Sequence, residues 1–139
     1  MRPRSTACRP VPPDSSPLPI IVHAPGFERV HYALVLASGA AAIGRKPILF
    51  FTGPALRALA DWQGLDGADQ DRQFRAQGVA GFEELLAACA SLGVRIIACE
   101  MALKARGLTE AELRSDIAIE IAGVVTLLGA AGPAGITFI

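Results

Sequence analysis

Apolar runs of four to seven residues alternate along this chain with stretches whose apolar positions recur every three or four residues. Leu18 to Ala24 is the first run, bounded by Pro25-Gly26, and reads as a strand. Phe27 to Ile43 follows with Val30, Leu34, Ala37 and Ala41 at helical spacing, and Gly44 suits the left-handed residue after a helix. Pro47 to Thr52 is the second strand, stopped by Gly53. Pro54 suits the first turn of a helix carrying Leu56 and Leu59. Trp62 to Gln77 is polar and reads as a surface loop with room for a helical piece. Gly81 to Leu92 places Phe82, Leu85, Leu86 and Cys89 on one helical face, and Val94 to Ala98 is the third strand. A short helix follows Cys99 and closes at Gly107. Thr109-Glu110-Ala111-Glu112 then fits a capping box. Ile117 to Ile121 predicts the fourth strand, Val124 to Ala130 a helix, and Ile136 to Ile139 the fifth strand.

Strand and helix alternate throughout, and the strands are mostly continuous apolar runs, as expected when both faces of a sheet are covered. This pattern predicts an α/β, flavodoxin-like three-layer sandwich with a five-stranded, mostly parallel sheet in the order 2-1-3-4-5. With that order the third strand lies beside the first, and Cys99 faces the Pro25-Gly26 loop. Residues 1–17 hold five of the ten prolines and no apolar cluster, so a disordered Pro/Arg-rich tail is expected there, with one domain over 18–139.

Composition narrows the function. Thirteen Lys and Arg balance thirteen Asp and Glu, so there is no electrostatic case for nucleic acid or for an anionic membrane surface. The segment after Ala122 is free of charge, but its glycines and Gly132-Pro133 interrupt it, and stable membrane insertion is not expected. Hydrophobic residues make up 52% of the chain against 19% charged, a surplus that suits a homo-oligomer. Three cysteines without C-x-x-C, and histidines without H-x-x-H, give neither a disulfide framework nor a metal site. No cofactor is expected, and reducing cytoplasm is the expected location.

Cys99 carries the candidate chemistry. It ends an apolar strand and precedes a helix, at the edge where parallel α/β sheets build their sites. Free N–H groups and partial positive charge at a helix start favour thiolate, the reactive form. Glu100 opposes this if it points at the sulfur, Lys104 or Arg106 can offset it, and the sequence leaves both outcomes open. Met101 is a lining candidate. His23, at the end of the first strand, and His31, one turn into the next helix, are candidate proton carriers, although a capping or surface role is the commoner fate of such histidines. The Pro25-Gly26 turn precedes a helix whose first N–H groups are positioned to meet an anion. In an alternative, non-catalytic reading, a crevice near Ala24, Pro25, Gly53 and Cys99 holds a small ligand or a nucleotide, with the thiol as lining. Cys89, on an apolar helix face, reads as core, and Cys8 as an incidental tail residue.

These residues resemble the DsrE/DsrF-like family, which includes sulfur-relay proteins of the TusD type. The likeness runs from Leu18 to Ile139. Its most specific part is Leu92-Gly93-Val94-Arg95-Ile96-Ile97-Ala98-Cys99-Glu100-Met101-Ala102-Leu103, continued by Gly107-Leu108-Thr109. The resemblance implies a flavodoxin-like sandwich assembled as a homotrimer or homohexamer. It also implies a persulfide carried at Cys99, with separate sulfur donor and acceptor proteins as partners. A non-catalytic small-ligand-binding module or an oligomeric scaffold of the same fold is the alternative.

Overall fold

The computed structural model describes residues 15–139. Residues 1–14, which include Cys8 and most of the expected tail, lie outside it, and the first strand already begins at Pro17. In chain order the elements are β1 (Pro17–Val22), α1 (Phe27–Ala42), β2 (Lys46–Phe51), α2 (Gln70–Ala76), α3 (Phe82–Ser91), β3 (Arg95–Cys99), α4 (Glu100–Ala105), β4 (Glu120–Ala122), α5 (Val124–Ala131) and β5 (Thr137–Phe138). The sheet has five strands in the order β4-β3-β2-β1-β5, and every pairing is parallel.

This order corrects the expected 2-1-3-4-5. β2, not β1, lies between its neighbours β1 and β3, with Val22 opposite Phe51 and Phe51 opposite Ala98. β2 is buried at every position from Pro47 to Phe51, the signature of a central strand covered on both faces. The steps from β1 to β4 run one way across the sheet and the step to β5 runs back. Right-handed crossovers therefore put α1 and α3 on one face and α5 on the other. In keeping with this, α1 packs on α3, and α5 packs on β1 and β4.

Two local expectations also change. The segment Gly53–Leu59 is a 3-10 helix and not an α-helix. Its buried residues pair as Ala55 with Ala58 and Leu56 with Leu59, three apart, the spacing that eclipses at three residues per turn. The fourth strand is only Glu120–Ala122, because Ile117 to Ile119 do not join the sheet. Just upstream, the Arg114 N–H donates to the Leu59 carbonyl at 2.9 Å, and its guanidinium holds Glu83 and Asp116 at 2.7–3.0 Å. The chain is thus tied to the 3-10 segment and α3 until Glu120. There a bidentate contact from Arg95, at 2.7–3.0 Å, clamps it to β3. The polar stretch after Trp62 contains both a 3-10 turn, Trp62–Gly64, and α2. The expected capping box forms at Thr109, where the Glu112 carboxylate accepts the Thr109 N–H at 2.8 Å.

Candidate functional site

The carboxyl ends of β1, β2 and β3 deliver His23, Gly53 and Cys99 to one edge of the sheet. Cys99 is the last residue of β3 and the N-cap of α4. It keeps 7% of its surface exposed and sits in the wall of the core cluster with Ala102 and Leu103 behind it. Among the described residues its sulfur makes no hydrogen bond. Glu100 and Met101, next in the chain, are exposed, Met101 at 73%. The thiol is thus buried among apolar side chains at the carboxyl edge of the sheet.

Cys89 differs in kind. It is fully buried on α3, its S–H directed at the Leu34 carbonyl at 3.6 Å. Burial pushes its thiol up to about 11, so it stays protonated and inert at neutral pH. This agrees with the core role read from its helical spacing.

The histidines separate as well. His23 is exposed at the end of β1, its ring 5.7 Å from that of Phe138. The ring lies against Gly53, where a Cβ would meet Cδ2 and Nε2 at 2.6 and 2.7 Å. Gly53 has φ +54°, so glycine serves there both for its backbone and for the room it leaves. β2 intervenes between β1 and β3. The strands ending in His23 and Cys99 are therefore two interstrand spacings, about 9–10 Å, apart. The expected placement of Cys99 beside the Pro25-Gly26 loop is corrected by the same strand order. His31 is buried, and its Nε2 lies 2.8 Å from the Ala80 carbonyl, an acceptor, so this nitrogen carries the hydrogen. Its ring packs on Phe27 and Phe74 with centroids 5.6 and 5.0 Å away. It fastens the turn before α3 onto α1.

Pro25 and Gly26 are occupied by structure too. Asp66 pairs with this turn through its backbone: its N–H donates to the Pro25 carbonyl at 3.2 Å, and its carbonyl accepts the Phe27 N–H at 2.7 Å. Beside them opens a cleft of about 520 Å³ that no sequence motif marks, with Pro54, Arg57, Asp61, Asp66 and Arg106 on its walls. Cys99 does not line it. The sequence signal was a proline three residues beyond each of two strand ends, Pro25 after Val22 and Pro54 after Phe51. The charged walls come from loops whose folding no local pattern encodes.

Among the described residues no three His, Cys, Asp or Glu side chains gather in a group that could hold a metal ion, and no helix is long and apolar enough to cross a membrane. In comparisons with known proteins, the model of the DsrE/DsrF-like family matches residues 20–136. No curated protein matches the chain.

Proposed function

We propose, from the premise that this chain belongs to the DsrE/DsrF-like family, that it is a sulfur carrier holding a persulfide on Cys99. Membership implies a protein of sulfur-relay type. The observation that carries the finer reading is the position of Cys99, the last residue of β3 and the N-cap of α4, at the edge where open α/β sheets bind ligands. Cys89 offers no competing thiol, since burial holds it protonated.

The transfer is redox-neutral. The Cys99 thiolate attacks the outer sulfur of a donor persulfide, R–S–SH. The donor S–S bond breaks and its electron pair leaves on R–S⁻, while a new S–S bond forms at Cys99. The persulfide, more acidic than a thiol, passes its proton to the departing thiolate. An acceptor thiolate then takes the same sulfur by the reverse exchange. Donor and acceptor are separate proteins in this reading, and reducing cytoplasm is the setting in which the thiol stays free. A homotrimer or homohexamer is the proposed assembly. It is supported by exposed apolar side chains on α5 and β5, with Val125 at 78%, Leu128 at 51% and Phe138 at 66%. Covering them would remove a patch that a monomer leaves in water. His23 and Gly53 would line the approach to Cys99, with Glu100 and Met101 at its rim.

The test is incubation of the chain carrying Cys8→Ser with a polysulfide donor, followed by alkylation and intact-mass analysis, with the further variants made in that background. One added sulfur atom is expected, retained in Cys89→Ser and absent in Cys99→Ser. If Cys99→Ser takes up sulfur as well as the parent, the carrier role is wrong. The cleft beside Pro54 and Arg57 favours one other reading, a small-ligand-binding module. A large thermal-shift response to a metabolite, unchanged by Cys99→Ser, would support it.

A further inference from the structure

The amino edge of the sheet, opposite Cys99, carries an anomaly. Arg45, between α1 and β2, has its Nε–H buried with no hydrogen-bond partner among the described residues. Buried donors are nearly always paired, and an orphan one costs free energy unless something outside the protein satisfies it. Arg45 also lines two adjoining cavities, of about 570 and 360 Å³. The larger lies within the size range of small-molecule sites. Its walls are largely aliphatic, from Pro17, Ile48, Leu92 and Ala130.

The charge at this edge is one-sided. No carboxylate among the described residues lines either cavity. Arg95 also lines the larger one, but Glu120 occupies its guanidinium bidentately. That leaves Arg45 and the exposed Lys46 as available cations. Arg45 does not cap α1 through its Nε. The last carbonyls of that helix are met by backbone N–H groups, including Arg45's own on the Ala40 carbonyl at 3.0 Å. A guanidinium with a free fork, set beside apolar walls, matches an oxyanion attached to an apolar body.

We propose that this amino-edge cavity is a second binding site, for an organic oxyanion with an aliphatic body. The oxyanion sits on the Arg45 fork after a small turn of that side chain and takes the unpaired Nε–H. Lys46 adds field at the mouth, and the chain lies along Ile48 and Leu92. The site is independent of the thiol chemistry at the opposite edge.

The probe is octanoate, titrated into the full chain and followed by amide chemical shifts and calorimetry. Saturable binding is expected, with shifts centred on the amides of Arg45, Lys46 and Gly93. Arg45→Gln weakens it about tenfold or more, the loss of one charge-assisted contact. Lys46→Gln, at an exposed position, weakens it only about twofold. The Tm of unliganded Arg45→Met stays level or rises, because a methyl group then stands where the orphan donor was. No saturation by octanoate overturns the site. Binding unchanged in Arg45→Gln, or shifts centred elsewhere, overturns the role of Arg45. Inorganic phosphate binding as tightly as octanoate overturns the apolar half of the ligand. A Tm falling by several degrees in Arg45→Met, with binding retained in Arg45→Gln, makes the arginine structural and ends the proposal.

Discussion

Removing the Asp71 carboxylate is expected to destabilise the chain by about 2–3 kcal/mol, through one hydrogen bond and not through its ion pair. Asp71, on α2, is buried, and its Oδ1 accepts the N–H of Phe82 at 2.7 Å. Phe82 opens α3 and is itself fully buried, so in Asp71→Ala its N–H loses its acceptor where water cannot replace it. An unsatisfied buried donor costs roughly 1–3 kcal/mol, and bonds to charged acceptors lie at the upper end. Oδ2 meets Arg75 Nε at 3.0 Å, but the arginine side chain is 59% exposed. Such a pair contributes only a few tenths of a kcal/mol. Arg75→Ala should therefore cost under about 0.5 kcal/mol. Asp71→Asn keeps an oxygen for Phe82 and should cost about 1 kcal/mol. With about 2.1 cal/mol/K of unfolding entropy per residue, a 139-residue chain shifts roughly 3–4 °C per kcal/mol, so Asp71→Ala lowers Tm by about 7–10 °C. Urea melts should show the same ranking with an unchanged slope. If Arg75→Ala costs as much as Asp71→Ala, the ion pair dominates and the reasoning fails.

Three further outcomes follow from geometry. Cys89 is raised from 9.0 to about 11 by burial, so the unfolded thiol ionises first. Its stabilising contribution is whole below pH 9 and fades as pH rises to 11, by about 2–3 kcal/mol in total. Alkaline urea melts of Cys89→Ala should lack that portion of the loss, and parallel curves for parent and variant would contradict it. Gly53→Ala forces a left-handed φ on a side chain, at about 1–2 kcal/mol, and pushes the His23 ring from its place. Lower Tm together with altered His23 ring shifts is expected, and a variant with neither change would show that the contact is loose. In timed alkylation of the native protein, peptide mass spectrometry should find label at Cys99 well before Cys89. Simultaneous labelling would mean that the edge position gives Cys99 no advantage.

What the sequence disclosed was local. The run from Val94 into Cys99, the turn into α4, the Thr109 capping box and the glycines of positive φ after α1, α3 and α4 all depend on neighbouring residues, and all are present. Strand order was hidden because neighbours in a parallel sheet are chosen by crossover geometry. Only the unbroken burial of Pro47–Phe51 betrayed β2 as central. Ile117 to Ile119 had strand-like composition, but the distant ties of Arg114 to Leu59 and Glu83 kept them out of the sheet. The candidate histidines could not be sorted by sequence for the same reason. His31 is claimed by Ala80, forty-nine residues away, and His23 was left at the edge. The charged cleft and the orphan Arg45 Nε each needed segments far apart in the chain to be folded together.

The outer strands of this sheet are short, three residues in β4 and two in β5. Few backbone groups are left there to template a neighbour, so joining copies into one continuous β-layer is disfavoured. Self-association has to proceed through side chains, with the uncovered aliphatic flank of α5 as the natural adhesive. Such a complex would come apart with detergent or a single Val125→Asp change, while every strand within each copy kept its amide protection.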